Sequence, residues 1–277
     1  MPGFLIVNPH SGKGSVPAEE LVSQAKQRGI ETHVLAQGED PAEVARAAAA
    51  DVLGVAGGDG SLAPIAAVAI ERDLPFVCIP FGTRNHFARD LGLDRNDPIG
   101  ALDAFNGSER RIDVGRADER LFLNNVSLGL YARLVHRREE HRRRREALAR
   151  LRAWAILLTH TDRLGITIDA EPVENRIVLV ANNAYALELP SLGARGRLDE
   201  GMVHIYTPDA DPQERTGTQF TIDSADHRLE AAVDGEPDVL RTPVVFRVEP
   251  RALRVLVPES GSQDSRVMRE RELRVGR

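Results

Sequence analysis

An acidic residue stands inside a glycine-rich turn in the first third of the chain. The turn is Gly57-Gly58-Asp59-Gly60-Ser61, and apolar residues both precede and follow it. Glycine lets the backbone approach a ligand closely, and successive N–H groups at the start of a helix bind anions. A carboxylate repels phosphate unless it organises a divalent cation or acts on an attacking hydroxyl. The turn therefore predicts a phosphate site with Asp59 beside a metal ion; an ordinary strand-to-helix turn is the alternative.

Two further polar loops follow short apolar runs. One is Asn8-Pro9-His10-Ser11-Gly12 and the other is Gly82-Thr83-Arg84-Asn85. The first is not a Walker A loop, because Val7 stands where that motif requires a glycine. Hydroxyl and amide groups at strand ends suit a nucleotide without adding charge, so both loops predict nucleotide contacts. Turn formation and helix capping by Thr83 and Asn85 are the plain alternative.

The composition indicates a globular protein without disulfides. Of 277 residues, 42% are hydrophobic and 28% are charged, and the formal net charge of −6 gives no case for nucleic-acid binding by the whole protein. Cys78 is the only cysteine, which excludes an internal disulfide and favours a reducing compartment. Because no apolar run reaches about 18 residues and the first residues do not resemble a signal peptide, we expect a cytoplasmic protein.

The order of apolar runs predicts two domains of different architecture. In the first half, strands alternate with helices, which predicts a doubly wound, Rossmann-like α/β domain with ligands at the strand ends. In the second half, many short strands between turn residues predict a mainly antiparallel β-sandwich. We assign residues 1–115 to the first domain and residues 116–259 to the second. The strands are predicted at residues 4–7, 32–35, 52–56, 76–79, 112–116, 121–127, 165–169, 176–181, 202–206, 219–222, 228–233, 244–248 and 252–257. The helices of the first half are predicted at residues 17–28, 41–50, 61–70 and 84–90.

A strongly basic segment lies between the two halves of the chain. It begins at Arg133 and ends at Arg152, and it holds nine arginines against three glutamates. Apolar residues follow at helical spacing, so the segment predicts an amphipathic helix. Such a helix suits an anionic membrane surface. A solvated helix face packed on the sandwich and an RNA-binding arm are the alternatives.

Taken together, the three loops resemble the catalytic domain of the diacylglycerol kinase family, in its bacterial soluble branch. They occur in the family's order, and Gly82-Thr83-Arg84-Asn85 is followed by Phe87-Ala88 as in the family. The resemblance implies a lipid kinase that uses ATP and Mg²⁺ to phosphorylate a diacylglycerol-like lipid. It further implies that the nucleotide is held by the three loops. It also implies that residues 260–277 return to the first domain.

The resemblance also implies site residues in the second half. Glu236, in the run Asp234-Gly235-Glu236, matches the family's proton acceptor for the lipid hydroxyl, and Asp234 would support Glu236 or the metal. Taken alone, this run is most often a hairpin turn. The stretch that contains Arg197, Glu200 and Met202 resembles a structural magnesium loop, which uses a carboxylate and nearby backbone carbonyls. The family usually has Asp where Glu200 stands, so that site is altered or empty, or Asp199 substitutes.

Some residues of the first half depart from the family pattern. Ser61 replaces a threonine and keeps the hydroxyl, while Ala63-Pro64 removes a polar contact near the nucleotide. His86 replaces an aspartate, which exchanges a negative group for a neutral or positive one. Ala36 stands where a threonine is often found. These departures bear on nucleotide affinity and preference more than on the fold.

Other functions remain open at this point. The runner-up enzyme is an NAD kinase-like kinase with a soluble substrate, against which the loops at residues 8 and 82 argue. A nucleotide- or lipid-binding regulator without catalysis is the alternative from another class. The expected partner is a lipid substrate at a membrane surface, and pairing of edge strands would allow a homodimer.

Overall fold

The computed structural model describes residues 2–11, 16–129, 164–175, 177–186, 193–207 and 213–259. Gly12, the basic segment of residues 133–152 and the C-terminal residues 260–277 lie outside the described residues, so the predictions made for them stay predictions. The chain forms two compact units: one holds the residues up to Ile112 and those from Ala252 on, and the other runs from Asp113 to Arg251.

A parallel sheet with helices forms the first unit, which confirms the predicted α/β class. Its strands are β1 (Gly3–Val7), β2 (Glu31–Val34), β3 (Val52–Gly57) and β4 (Phe76–Pro80). They pair in the order β2-β1-β3-β4. Every residue of β1, β3 and β4 is buried, as expected for strands covered on both faces. The helices are α1 (Ala18–Gln27), α2 (Pro41–Ala47), α3 (Asp59–Glu71), α4 (His86–Asp90), α5 (Pro98–Ala101) and a 3₁₀ helix (Leu102–Asn106).

Helix α3 begins earlier than the sequence pattern predicts. Gly58 is its N-cap and Asp59 is its first residue, whereas the predicted start is Ser61. Pro64 therefore lies beyond the first turn, inside the helix. The glycines have weak helix propensity, which hides the true start from a sequence pattern. As a result, the acidic residue of the turn belongs to the first turn of a 13-residue helix.

Helix α4 begins later than predicted, and Thr83 is not its N-cap. The helix starts at His86, and its N-cap Asn85 has a left-handed backbone with φ of 49°. The Asn85 amide oxygen accepts a hydrogen bond from Gly82 N, and the amide nitrogen donates to Gly82 O. These bonds close residues 82–85 into a loop that is incompatible with a helix starting at Arg84.

Two sheets form the second unit, which confirms its predicted antiparallel character. Its strands are β5 (Ser108–Ala117), β6 (Arg120–Phe122), β7 (Asn125–Gly129), β8 (Ile166–Ile168), β9 (Glu171–Val173), β10 (Ile177–Asn182), β11 (Val203–Thr207), β12 (Gln213–Gly217), β13 (Gln219–Ser224), β14 (Arg228–Val233), β15 (Glu236–Arg241) and β16 (Val244–Val257). One sheet has the order β12-β11-β10-β7-β14-β15. In the other, β16, β13, β8 and β9 pair in that order, and β5 pairs with β16 and β6. The chain crosses between the units within β5 and again within β16.

The core of the second unit consists of alternate residues from both sheets. Val126 and Leu128 of β7 contribute to it together with Phe122 and Phe246, whose rings meet edge to face at 6.4 Å. The intervening residues of β7, Asn125 and Ser127, belong to the other face of the strand. The alternation fixes the register of β7 between β10 and β14. The register also fixes the position of the β6–β7 turn along the neighbouring strands.

Helices long and apolar enough to span a bilayer are absent from the part of the chain that the structure describes.

Candidate active site

The loops that follow β1 and β3 are joined through their hydroxyl and amide groups. Asn8 Nδ2 donates to Ser61 Oγ at 3.0 Å, and the Oγ atoms of Ser11 and Ser61 lie 3.0 Å apart. The Asn8 amide oxygen accepts from His10 N, so that both ends of the side chain are fixed. Parallel strands carry their carboxyl ends at one edge of the sheet, which is why residues about 50 positions apart meet here.

The loops that follow β3 and β4 touch through their glycines. A Cβ atom built on Gly82 would lie 2.4 Å from Gly58 Cα, and one built on Gly57 would lie 2.7 Å from Ser61 Cβ. A side chain at Gly82 would therefore separate the two loops, and one at Gly57 would displace Ser61 in the first turn of α3. All three loops that were predicted from the sequence come together at one edge of the parallel sheet, and the first turn of α3 opens onto that edge.

The carboxylate of Asp59 is held by the backbone that starts α4. Its Oδ2 accepts from His86 N at 3.1 Å, and its Oδ1 accepts from Phe87 N at 2.9 Å. A carboxylate oxygen can accept more than one hydrogen bond, so each oxygen retains a lone pair for a cation or a water molecule. The two N–H groups fix the orientation of the carboxylate. Asp59 therefore fits the predicted role of organising Mg²⁺ at a phosphate site.

His86 lies beside Asp59 with a polar ring atom left over. Its Nδ1 is buried and has no hydrogen-bond partner among the described residues. Burial lowers the pKa of His86; the charge of Asp59 opposes this shift, while Arg89 and Arg84 reinforce it. The imidazole is thus held toward its neutral form. It adds no negative charge at the position where the family pattern has an aspartate.

Asn85 and Thr83 differ in their surroundings. Asn85 is buried, and its amide also donates to Arg95 O at 3.2 Å, in addition to its two bonds with Gly82. These contacts make Asn85 a residue that holds the loop in shape. Thr83 is exposed, which leaves its hydroxyl accessible to a ligand. Pro9 and Gly60 lie in the same loops at intermediate exposure.

In the second unit, Asp234 anchors the turn between β6 and β7. Its Oδ2 accepts from Leu123 N at 2.8 Å, and its Oδ1 accepts from Asn124 N at 2.7 Å and Asn125 N at 3.1 Å. Three hydrogen bonds from successive N–H groups fix the orientation of this carboxylate. Asp234 is buried, with 8% of its surface exposed. These bonds go to the backbone of the β6–β7 turn, and the predicted support of Glu236 or the metal by Asp234 stays a prediction.

Glu236 follows Asp234 at the far side of a tight turn. Asp234 and Gly235 both have positive φ, 48° and 88°, which forms the β14–β15 hairpin. The Asp-Gly pair is thus the hairpin turn that the sequence alone favours, and Glu236 is the first residue of β15. Its side chain is exposed, as a group that meets a ligand must be.

Residues of the predicted magnesium loop already have hydrogen-bond partners within the chain. Glu200 Oε2 accepts from Ala184 N at 2.9 Å and lies 3.2 Å from His204 Nε2. The Met202 carbonyl accepts from Asn183 N. The Arg197 side chain lies beside Asp199 instead, at 3.2 Å. One main-chain N–H therefore binds Glu200, and the magnesium loop predicted from Arg197, Glu200 and Met202 stays a prediction.

Sequence reasoning missed a buried arginine in the second unit. Arg195 has 5% of its surface exposed, and it donates to Leu123 O, Asn182 O and Asn124 Oδ1. The sequence shows it only as one basic residue among several in the run before β11. Its two partners in the β6–β7 turn, Asn124 and Leu123, lie 71 and 72 positions away in the sequence, so no local pattern reveals it.

Comparison with known proteins adds evidence on the family. Residues 2–117 match the model of the diacylglycerol kinase catalytic domain. A diacylglycerol kinase of Mycobacterium tuberculosis is 28% identical over 218 residues, which cover 74% of this chain and 68% of that protein. A protein of Pseudomonas aeruginosa described as a probable lipid kinase YegS-like is 27% identical over 282 residues, covering 88% of this chain and 91% of that protein.

Solved structures share the fold. A putative diacylglycerol kinase from Bacillus anthracis superposes with a TM-score of 0.67 at 20% identity, covering 94% of this chain and 98% of that one. At this identity the likeness shows the fold alone. The functional assignment therefore depends on the family match and on the geometry of the site.

Proposed function

We propose that this chain, whose residues 2–117 match the diacylglycerol kinase catalytic domain, phosphorylates a diacylglycerol-like lipid with ATP and Mg²⁺. One observation carries the proposal. The three loops after β1, β3 and β4 meet at the edge where α3 begins, and a carboxylate with a fixed orientation lies in that first turn.

The first unit supplies the nucleotide site. The first turn of α3 is the positive end of the helix dipole, where N–H groups favour phosphate, although Ser61 N already donates to Gly58 O. Ser11 and Ser61 add hydroxyl donors, and the exposed Thr83 adds another. The absence of side chains at Gly57 and Gly58 lets phosphate oxygens approach the backbone. Gly12, which lies outside the described residues, belongs to the predicted nucleotide loop that also contains Ser11.

A bound Mg²⁺ would make the carboxylate of Asp59 compatible with this anion site. Mg²⁺, when bound, neutralises charge on the phosphates. Asp59 holds that ion directly or through water with the lone pairs that His86 N and Phe87 N leave available. Since phosphoryl transfer depends mainly on positioning and charge neutralisation, the fixed orientation of Asp59 is its contribution to the reaction.

Glu236 is the proposed proton acceptor in the transfer step. The lipid hydroxyl gives its proton to the Glu236 carboxylate while its oxygen forms a bond to the γ-phosphorus. The bond between that phosphorus and the bridging oxygen breaks, and ADP leaves with the electron pair. A general base of this kind contributes about 10²- to 10⁴-fold to the rate. Asp234 takes part as the first residue of the hairpin turn that precedes Glu236, and its bonds to the β6–β7 turn hold it in place.

A membrane surface is the proposed source of the lipid. The nine arginines between Arg133 and Arg152 support this part of the proposal, because clustered arginine binds anionic headgroups. Co-sedimentation with vesicles that contain phosphatidylglycerol tests it, with Arg142 to Arg145 changed to glutamate. We expect weaker binding for the variant. Binding equal to that of the unchanged protein would contradict the membrane contact.

Transfer of labelled γ-phosphate from ATP-Mg²⁺ to a total lipid extract tests the proposed function. We expect a labelled lipid product whose acceptor lipid can then be identified. Labelling of NAD instead would favour the soluble-substrate kinase. Binding of ATP or lipid without release of ADP would favour a regulator without catalysis, and would contradict the proposal.

A further inference from the structure

The guanidinium of Arg195 is buried against main-chain oxygens of the second unit. Nη1 donates to Leu123 O at 2.6 Å and to Asn182 O at 3.2 Å, and Nη2 donates to Asn124 Oδ1 at 2.7 Å. A buried charge is unfavourable unless hydrogen bonds compensate for its lost hydration. The short contacts to the β6–β7 turn provide such compensation. Arg195 and this turn are therefore built as one unit.

The same turn binds the carboxylate of Asp234 from its other side. The peptide group between Leu123 and Asn124 accepts from Arg195 through its oxygen and donates to Asp234 Oδ1 through its nitrogen. Hydrogen bonds in such a chain polarise one another and strengthen each other. A cation, a peptide group and a carboxylate thus form a continuous series. Removing the Arg195 guanidinium would therefore weaken the hydrogen bonds that the turn donates to Asp234.

Asp234 in turn sets the start of β15. Asp234 N donates to Asn125 O at 2.9 Å, so the residue is bound to the turn through its backbone as well as its side chain. It then enters the left-handed conformation that opens the hairpin, and Glu236 follows after Gly235. A shift of Asp234 is passed to Glu236 across only one intervening glycine.

We propose that Arg195 is a positioning residue for Glu236, acting through the Leu123–Asn124 peptide group and Asp234. The inference rests on the proposed function, because it takes Glu236 as the proton acceptor. Arginine suits this role better than lysine. Its planar fork reaches a carbonyl oxygen and the Asn124 amide oxygen at once, whereas an ammonium group is a point charge without that geometry. The asparagine Asn182 adds a parallel bond to Leu123 O at 3.1 Å, which holds the carbonyl but supplies no charge.

A double-mutant cycle on the phosphoryl-transfer rate tests the proposal. Arg195→Met, Arg195→Lys and Glu236→Gln are compared with the control Arg228→Met, which removes an exposed arginine at the other end of β14 from Asp234. We expect Arg195→Met to lower kcat at least tenfold with KM for ATP unchanged. The kcat of Arg195→Lys should lie between that of Arg195→Met and that of the unchanged protein. In the Glu236→Gln background, Arg195→Met should lower kcat less than twofold further.

Amide hydrogen exchange provides a readout that does not depend on activity. We expect Arg195→Met, but not Arg228→Met, to speed exchange at residues 123–125 and also at residue 234 by at least tenfold. Faster exchange only at residues 123–125 would overturn the coupling to Asp234. An equal loss of kcat in both Glu236 backgrounds would overturn the positioning role. If the unchanged protein phosphorylates no lipid, the proposed function fails separately, while the exchange result still decides the coupling.

Discussion

Substitution of Gly82 by alanine is expected to separate the two glycine loops of the first unit. The new Cβ would lie 2.4 Å from Gly58 Cα and 2.9 Å from Asn85 Oδ1. Carbon atoms in contact prefer a separation of about 3.5–4.0 Å, so the loops must move apart by roughly 1 Å. Neither neighbour is the free end of a flexible side chain. Gly58 contributes backbone, and Asn85 Oδ1 is bound to Gly82 N itself.

The expected loss of stability follows from these contacts. Overpacking of this kind costs about 1–3 kcal/mol. Weakening of the Asn85–Gly82 hydrogen bond adds about 1 kcal/mol. For units of this size each kcal/mol lowers Tm by roughly 2–4 °C, so the first unfolding transition should fall by about 4–16 °C. Gly58→Ala is the milder partner of this experiment, because its Cβ would meet neighbours at 3.6 and 3.7 Å, which is ordinary contact.

Scanning calorimetry and titration with a fluorescent ATP analogue measure the two consequences. Gly82→Ala should weaken nucleotide binding at least tenfold, since it displaces the loop of Thr83 from the first turn of α3. Gly196→Ala is the matched control, because its Cβ would have no atom within 4 Å. A Gly82→Ala protein with unchanged Tm and unchanged nucleotide affinity would refute the close approach of the loops.

Three further outcomes are expected. Asp234→Asn should lower the free energy of unfolding in urea by about 1–3 kcal/mol, because one N–H of the β6–β7 turn then faces an amide donor; an unchanged value would contradict the anchoring contacts. Burial lowers the pKa of His86 below its ordinary value of 6.5. The stability that neutral His86 contributes is therefore fully present at pH values above 6.5 and is lost as the pH falls through the lowered pKa. His86→Asn should therefore flatten the acid side of the stability curve measured in urea, and a curve parallel to that of the unchanged protein would count against this. Removing divalent cations with EDTA should leave the Tm of the nucleotide-free protein unchanged, because Glu200 is already hydrogen bonded to Ala184 N. A fall in Tm that added Mg²⁺ reverses, and that is absent from Glu200→Gln, would instead support the predicted magnesium loop.

The convergence of the three loops could be predicted from the sequence because it follows from topology. Apolar runs that alternate with helices predict a parallel sheet, and the carboxyl ends of its strands share one edge. The contacts of Asn8 with Ser61, and of Gly82 with Gly58, are the result. The type of residue and its place after a strand were sufficient for this inference.

Other features were not predicted from the sequence, for different reasons. The start of α4 is set by the hydrogen bonds of Asn85 with Gly82, which favour a left-handed residue over a helical one. Strands β9, β12 and β15 were missed because their residues are largely polar and exposed. The role of Arg195 depends on partners from a distant turn. For the three strands, pairing with a neighbouring strand overrides the weak strand propensity of the segment.

Phosphorylation of a defined diacylglycerol tests the central claim most directly. The unchanged protein, Asp59→Asn and Glu236→Gln are each given 1,2-dioleoylglycerol in mixed micelles with labelled ATP-Mg²⁺, and phosphatidic acid is quantified. We predict product from the unchanged protein and a rate lower by about 10²- to 10⁴-fold for Glu236→Gln, with a comparable loss for Asp59→Asn. Equal rates for all three proteins would contradict the account of the site, and no phosphatidic acid from any of them would contradict diacylglycerol as the acceptor.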